Sequence, residues 1–228
     1  MAKLKIITTE DGSHSLYHED LKETYHSFHG ALKESQYVFI DKGLRYFRTK
    51  EGLPSEINVF EIGFGTGLNA LLAQQFAESH EVKMHYRSLE PFPLEASIYG
   101  QLNYAAETAA ENAQEVFSKL HEAEWNTATA ISKHFNLLKE DTTLQEKDLS
   151  SVEPIDVVFF DAFAPSKQAE MWDIALIEKC YKCLRPSGVF VTYSAKGQLK
   201  RDLRSVGFEV ETIPGPPGKK EMVRAIKI

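Results

Sequence analysis

Five short apolar runs, most of them ending at an acidic residue or a turn, constrain the fold of this 228-residue chain most strongly. Helix-like sequence separates the runs, as in residues 68–80, and the last run follows a predicted helix over about 168–184 and a predicted turn, "RPSG". Strands and helices in alternation predict a parallel, doubly wound α/β sheet. The predicted strands are "INVFEI" (57–62), "VKMHYRSLE" (82–90), "FNLLKED" (135–141), "PIDVVFFD" (154–161) and "GVFVTYS" (188–194).

Three further segments surround this pattern. Residues 1–56 precede the first strand, and we expect them to form an N-terminal extension packed on a core domain of residues 57–228. Residues 93–134 resemble a helical insertion before the third strand. At the C-terminus, "GFEVETI" and "EMVRAIKI" are joined by the loop "PGPPGKK", which predicts an antiparallel hairpin at the sheet edge.

Composition narrows the class of protein. No apolar run approaches the roughly 18 residues that a membrane span needs, and the N-terminus lacks the apolar stretch of a signal peptide. We therefore expect a cytoplasmic protein without a membrane partner. Its two cysteines, Cys180 and Cys183, are too few to hold a metal and are predicted to pack on one helix face. No metal is expected.

Charge is distributed unevenly along the chain. The formal net charge is −7, yet the segment from Lys196 to the C-terminus has eight Lys and Arg residues against four Asp and Glu residues. A basic C-terminal face on an acidic protein predicts that a polyanion binds on one side. The candidate residues of this face are Lys196, Lys219 and Lys220.

Polar residues follow four of the predicted strands. They are the turn Gly63–Gly67 and the acids Glu90, Asp141 and Asp161. Ligands of open parallel sheets bind beyond the carboxyl ends of the strands, so these groups are expected to converge on one site.

The glycine spacing decides between the cofactors that such turns bind. A dinucleotide turn needs a third glycine where Leu68 stands, and no Gly-Lys-Ser/Thr follows as in a P-loop. The pattern Glu-x-Gly-x-Gly-x-Gly is instead associated with S-adenosylmethionine, whose methionine and ribose lie against bare backbone. Glu90 is predicted to accept the ribose hydroxyls, and Asp141 the adenine amino group. The predicted cofactor residues are Glu61, Gly63, Phe64, Gly65, Thr66, Gly67, Asn69, Glu90, Asp141 and Asp161.

The segment "FFDAFAPSKQAEMW" follows the fourth strand, where the methyl group of the cofactor is expected. Asp161 can there orient or deprotonate an attacking amine, which makes it the candidate catalytic residue. Phe163 and Trp172 either belong to the core or stack on a base. With Lys167 and the three lysines of the basic face, they form the predicted substrate site.

Four blocks of the sequence resemble one family. The blocks "EIGFGTGLN", "DAFAPSKQAEMW" and "PGPPGKKEMVRA", with the N-terminal "YHEDLKETYHSFHGALKESQYVFI", are similar to the tRNA 5-aminomethyl-2-thiouridine methyltransferases. These form one half of a bifunctional enzyme whose other half is an FAD-dependent oxidase. A chain of this length has no room for that oxidase, so a stand-alone methyltransferase is expected.

The resemblance implies a Rossmann-like class I methyltransferase fold and S-adenosylmethionine as cofactor. It also implies N-methylation of the primary amine of a 5-aminomethyluridine at the wobble position, with the tRNA anticodon arm as partner. Asp161 would place that amine, and upstream enzymes would supply the aminomethyl group.

Three alternatives remain open from the sequence. One is an aminopropyltransferase of the spermidine-synthase type, which uses a related cofactor and also ends its fourth strand in Asp. Another is a methyltransferase for small-molecule amines. The third is a binding protein that keeps the cofactor fold without chemistry.

Overall fold

A central sheet of eight strands organises the chain. The computed structural model describes residues 3–108, 110–150 and 152–228, so Met1 and Ala2 of the predicted extension and Ala109 of the predicted insertion lie outside it. Its strands are β4 (Glu56–Ile62), β5 (Lys83–Leu89), β6 (Thr129–Ser132), β7 (Phe135–Glu140), β8 (Ile155–Phe160), β9 (Leu184–Thr192), β10 (Phe208–Pro214) and β11 (Glu221–Lys227). They lie in the order β10-β11-β9-β8-β4-β5-β7-β6.

The five predicted strands form the parallel part of this sheet. Strand β4 pairs in parallel with β5 on one side and with β8 on the other, and the sheet continues outward through β7 and β9. The chain runs outward from β4 through β5 to β7, and then returns to β8 on the other side of β4 and continues to β9. The topological switch point therefore lies between β4 and β8, at their carboxyl ends. The predicted doubly wound, Rossmann-like α/β fold is confirmed.

Helices cover both faces of the sheet. All six residues of β8 are buried, because its side chains alternate between two apolar layers. Val157 and Phe159 belong to one core cluster, and Val158 and Phe160 to the other. The first face carries α3 (Leu68–Ser79) and α6 (Ala113–Glu122), and the second carries α7 (Ile174–Cys183) and α8 (Gly197–Val206).

The structure corrects three sequence expectations. The helix predicted over about 168–184 is a 3-10 turn at Ala169–Trp172 followed by α7, because the Asp173 side chain accepts a hydrogen bond from Ala175 N and begins a new helix. The predicted turn "RPSG" lies inside β9 as an irregularity, with Ser187 at φ 64°.

The third correction concerns the insertion. It contains the short helices α4 (Ala96–Tyr99) and α5 (Tyr104–Thr108) besides α6, and it ends in the edge strand β6, which pairs antiparallel with β7.

The N-terminal segment contributes its own small sheet and three helical stretches. Strands β1 (Leu4–Thr8), β2 (His14–His18) and β3 (Glu23–Thr24) form this sheet, and α1 (Ala31–Ser35), a π-helix (Gln36–Arg45) and α2 (Tyr46–Lys50) follow. The π-helix packs directly on the central sheet at Gly43. A Cβ there would lie 3.1 Å from Val191 Cγ1 and 3.2 Å from Phe159 Cε1, so a larger residue would push the helix away.

The C-terminal hairpin forms as predicted. Strands β10 and β11 pair antiparallel, and β11 joins β9, which leaves β10 at the edge. Cys180 and Cys183 are buried on α7 as unpaired thiols, in agreement with a packing role. No described helix is long and apolar enough to cross a membrane.

Candidate active site

The glycine turn after β4 brings bare backbone against β8 and α6. Gly63, Gly65 and Gly67 have φ angles of 96°, 50° and 74°, a region that side chains disfavour. A Cβ on Gly63 would lie 2.9 Å from the carbonyl oxygen of Asp161, and one on Gly67 would lie 2.8 Å from His121 Nε2. The turn therefore has no room for side chains at Gly63 and Gly67.

A cavity of about 1500 Å³ opens at the carboxyl ends of β4, β5 and β8. Residues 63–66 of the glycine turn line it together with Glu90 and Asp161, whereas Gly67 and Glu61 do not. Asn69, at the start of α3, lines it as well. The cavity thus lies at the switch point of the sheet, where α/β folds bind their ligands.

Asp161 is the first residue after β8 and is fixed by α3. Its Oδ2 accepts a hydrogen bond from Asn69 Nδ2 at 2.8 Å. Burial raises the pKa of Asp161 well above its usual range, and the nearby charges of Glu61 and Glu34 raise it further. The hydrogen bond from Asn69 and the charge of Lys219 act in the opposite direction. A bound cation would favour the ionised carboxylate in the same way as Lys219.

Glu61 lies on β4 and is fully buried. Ser88 Oγ on the neighbouring β5 donates to its Oε2 at 2.6 Å. Among the described residues its Oε1 has no hydrogen-bond partner. Burial raises the pKa of Glu61 to about 7, so this group is close to half protonated at neutral pH.

Glu90 connects the end of β5 to the glycine turn. Its Oε2 accepts from Gly65 N and its Oε1 from Phe92 N, both at 2.9 Å. Burial raises its pKa, whereas these two backbone donors lower it. The remaining lone pairs of the carboxylate can accept further hydrogen bonds, as the hydroxyls of a ribose would offer.

Three other predicted cofactor residues occupy different environments. Phe64 is buried with its ring 5.3 Å from that of His121, and Thr66 Oγ1 lies 3.5 Å from His26 Nε2. Asp141 is exposed, accepts from Asn126 Nδ2 at 2.7 Å and does not line the cavity. Thr142, the next residue, does line it. The contact predicted for Asp141 therefore requires its side chain to leave Asn126.

The predicted substrate residues separate into two groups. Phe163 lines the cavity with its ring 5.0 Å from that of Tyr25, and Lys167 donates to the carbonyls of Leu21 and Lys22. Lys219 also lines the cavity. The structure does not bring Trp172, Lys196 and Lys220 into the cavity lining.

Trp172 is buried behind the cavity. Its Nε1 donates to the carbonyl oxygen of Phe163 at 2.8 Å, and its ring packs edge-on against Phe160. It therefore supports the loop that carries Phe163. Lys196 and Lys220 are exposed to solvent.

The N-terminal segment supplies cavity residues that the sequence did not assign to the site. Tyr25, His26 and Glu34 all line the cavity. Burial lowers the pKa of His26 to about 4, so this ring is neutral at physiological pH. The aromatic and histidine cluster "YHSFH" at 25–29 is a sequence signal for Tyr25 and His26. Its position beside the glycine turn, however, is visible only in the tertiary fold.

Comparison with known proteins decides the family. Residues 104–228, more than half of the chain, match the sequence profile of a family described as S-adenosyl-L-methionine-dependent methyltransferase. The chain belongs to this methyltransferase family. The match includes Asp161 and the C-terminal hairpin, and the glycine turn lies upstream of it.

Bifunctional proteins are among the curated relatives of this methyltransferase. The tRNA 5-methylaminomethyl-2-thiouridine biosynthesis bifunctional protein MnmC of Idiomarina loihiensis is 32% identical over 219 residues, covering 88% of this chain and 35% of the relative. The protein of the same name from Campylobacter hominis is 29% identical over 215 residues, covering 92% and 31%. The chain thus spans about a third of the length of these relatives.

A solved structure supports the fold. The crystal structure of MnmC2 from Aquifex aeolicus superposes with a TM-score of 0.76 at 23% identity, and the match covers 99% of this chain and 70% of that one.

The residues of the cavity fit S-adenosylmethionine. Residues 63–66 of the glycine turn line the cavity, and Glu90 retains acceptor capacity. Asn69 Oδ1 is buried without a hydrogen-bond partner among the described residues, and it can accept from an amino group such as that of the methionine moiety. Among all residues that the structure describes, no group of three or more His, Cys, Asp or Glu side chains is arranged to hold a metal ion.

Proposed function

We propose that this chain methylates the primary amine of 5-aminomethyl-(2-thio)uridine at the tRNA wobble position, giving the 5-methylaminomethyl derivative. The observation that carries this proposal is the position of Asp161, a carboxyl group at the cavity directly after β8 and beside the glycine turn. The names of the two relatives, which concern the biosynthesis of tRNA 5-methylaminomethyl-2-thiouridine, support the substrate.

The cofactor would lie along the glycine turn. The bare backbone of the turn would pack against its methionine part, Asn69 Oδ1 would accept from the amino group, and Glu90 would bind the ribose hydroxyls. When bound, S-adenosylmethionine supplies a methyl group on a positively charged sulfur, which leaves as a neutral thioether. The protein mainly positions the amine and keeps water away.

Asp161 would act on the amine. A primary amine is largely protonated near neutral pH and must lose a proton before it attacks. The Asp161 carboxylate would bind the ammonium form, and its hydrogen bond would keep the nitrogen in line with the methyl group once the proton has left. Asn69 holds Oδ2 for this task.

The tRNA would reach this cavity with its wobble base turned out of the anticodon loop, which single-stranded loops permit at low cost. Phe163 would stack on the base, and Trp172 would hold the Phe163 loop through its hydrogen bond. Lys196 and Lys220 would bind phosphates of the anticodon arm. An upstream enzyme must install the aminomethyl group, and the tRNA substrate implies a cytoplasmic reaction.

The deciding experiment is mass analysis of tRNA nucleosides. Purified protein is incubated with S-adenosylmethionine and tRNA that carries 5-aminomethyl-2-thiouridine. We expect the modified uridine to gain one methyl group and the unmodified uridines to stay unchanged. No mass change in this tRNA would refute the proposal.

One observation favours a second candidate, an aminopropyltransferase for a polycationic amine. Besides Glu90 and Asp161, further acids line the cavity, and they could bind additional ammonium groups. These are Asp20, Glu23, Glu34, Glu95, Glu146 and Glu170. Incubation with putrescine and decarboxylated S-adenosylmethionine separates the two, since only an aminopropyltransferase forms spermidine. Methylation of free amines without tRNA would instead indicate a small-molecule methyltransferase.

A further inference from the structure

The loop "PGPPGKK" packs against the N-terminal segment at two points. Lys219 Nζ donates to Glu34 Oε1 at 2.7 Å. Gly218, at φ 82°, lies so close to the His29 ring that a Cβ would collide with it. The loop therefore closes over one side of the cavity, and the side chain of Lys219 is engaged by the protein itself.

Glu34 is a buried carboxyl group at the cavity. It lies on α1 with 6% of its surface exposed, and its Oε2 accepts from Ser27 N at 2.7 Å. Each carboxylate oxygen thus accepts one hydrogen bond, and each has a second lone pair that could accept another. An unpaired carboxylate at this depth would be costly, so the lysine neutralises a charge that the fold places beside the site.

A chain of contacts joins this pair to Asp161. The Lys219 ammonium lies 3.8 Å from the centre of the Tyr193 ring, and Tyr193 OH donates to the carbonyl of Ala162 at 2.8 Å. Ala162 directly follows Asp161. The two charges also act on Asp161 through space, since that of Glu34 raises the pKa of Asp161 and that of Lys219 lowers it.

We propose that Glu34 is a second carboxylate of the amine-binding site and that Lys219 is its counter-ion, a positioning residue rather than a phosphate contact. Glu34 would add negative charge for an incoming ammonium group, and Lys219 would limit that charge so that Asp161 can ionise. This inference rests on the proposed function for the identity of the amine, but the coupling between the three residues does not depend on it.

Several other groups share the surroundings of Asp161. Glu61 raises its pKa from β4, and Asn69 donates to it from α3. The phenols of Tyr86 and Tyr193 have pKa values well above the usual range because of burial, so they stay neutral. Substitution of Glu34 or Lys219 leaves these other groups unchanged, so a change in the Asp161 titration can be assigned to the pair.

The first test follows the titration of Asp161 in cofactor-free protein by carboxyl-carbon NMR, with Asp161→Asn for assignment. Lys219→Met should raise the Asp161 pKa and Glu34→Gln should lower it, by about half a unit each, while the double variant lies between them. Lys219→Arg keeps the charge and should restore the wild-type titration. Lys220→Met, the neighbouring lysine, should not change it.

The second test uses the pH and salt dependence of methyl transfer to aminomethyl tRNA. The acid limb of kcat/KM should move to higher pH in Lys219→Met and to lower pH in Glu34→Gln. Lys220→Met should instead reduce the salt slope of KM. Equal reductions of this slope by Lys219→Met and Lys220→Met, without a moved acid limb, would make Lys219 a phosphate contact and overturn the inference.

The two proposals fail separately. If the wild-type chain does not methylate aminomethyl tRNA but the Asp161 titration moves as described, the function is wrong and the pair stands. If methylation occurs but no variant moves the titration, the pair is refuted. Should Glu34→Gln not fold, Lys219→Met against Lys219→Arg decides alone.

Discussion

Asp161 and Glu61 are both carboxyl groups with raised pKa values near the ends of adjacent strands, yet they differ in access. Asp161 lines the cavity, whereas Glu61 is fully enclosed and hydrogen-bonded to Ser88. A group that reaches substrate should affect turnover, and an enclosed one should affect stability. Substituting each residue in turn therefore distinguishes a role in turnover from a role in the stability of the fold.

Replacing Asp161 should remove activity and keep the fold. In Asp161→Asn the amide retains the shape but cannot hold an ammonium group, so we expect kcat to fall by about 100-fold or more. Stability should not decrease at neutral pH, because the buried ionisable group is gone. Initial rates with labelled S-adenosylmethionine and a thermal melt measure both; near-wild-type rates would remove Asp161 from the mechanism.

Glu61 should make the free energy of unfolding depend on pH. Its pKa is about 7 in the fold against an ordinary 4.5, so its contribution is complete below pH 4.5 and is lost as the pH rises through 7. That shift corresponds to about 3 kcal/mol. Relative to the wild type, Glu61→Gln should therefore gain stability between pH 5 and pH 8, by at most about this amount.

Urea unfolding without cofactor, at several pH values, measures this effect. Glu56→Gln is the matched control, since Glu56 lies on the same strand but is half-exposed and hydrogen-bonded to His85, which lowers its pKa. It should not gain stability at pH 8. A pH-independent difference between Glu61→Gln and the wild type would contradict the assignment.

At the scale of elements, the turn between β4 and α3 matters because it brings two chain segments into contact. Gly63 approaches the carbonyl of Asp161 and Gly67 approaches His121, so the turn depends on both β8 and α6. Substitution of these glycines should be poorly tolerated, because a new side chain at positive φ strains the backbone and the neighbouring atoms cannot easily move away.

A pair of glycine substitutions separates backbone strain from loss of the site. Gly52 and Gly63 both have positive φ, but a Cβ on Gly52 would have nothing within 4 Å, and one on Gly63 would lie 2.9 Å from a carbonyl oxygen. We expect Gly52→Ala to cost about 1 kcal/mol of stability and to keep cofactor affinity. Gly63→Ala should reduce that affinity at least tenfold by calorimetry; equal affinities would contradict the role of the turn.

At the scale of the whole molecule, opposite charges meet around the cavity. Acidic side chains line its interior, whereas Lys196 and Lys220 lie outside it near the carboxyl end of β9. Such an arrangement suits a substrate that carries a cationic amine on a polyanionic backbone. The acids would select the amine, and the lysines would hold the phosphates.

Removing both exposed lysines should weaken tRNA binding in a salt-dependent way. In Lys196→Ala with Lys220→Ala we expect a higher KM for tRNA and a salt slope reduced by about one per lysine. Lys83→Ala is the control, because Lys83 begins β5 at the opposite end of the parallel strands and pairs with Glu56. KM measured from low to moderate salt tests this; an unchanged slope would place the tRNA elsewhere.

The strands of the core could be predicted because each is a local apolar pattern, and β8 is buried on both faces as its sequence suggests. Local signals failed where tertiary pairing overrode them. Pro186 and Ser187 signal a turn, yet they lie within β9 because the chain bulges between two registers of β8. Residues 93–134 appear helical, yet Thr129–Ser132 pairs with β7 as an edge strand.

The sequence by itself determined the order of strands and helices, the glycine turn and the acids Glu90 and Asp161 at the strand ends. These features depend on residue type and spacing, because local backbone preferences and the alternation of apolar residues are set by neighbours in the sequence. Only the tertiary structure decided that Asp141 faces solvent, that Trp172 supports the Phe163 loop and that Glu34 meets Lys219. Glu34 and Lys219 are 185 positions apart, and no local pattern encodes a contact that forms only when both ends of the chain fold over the same sheet.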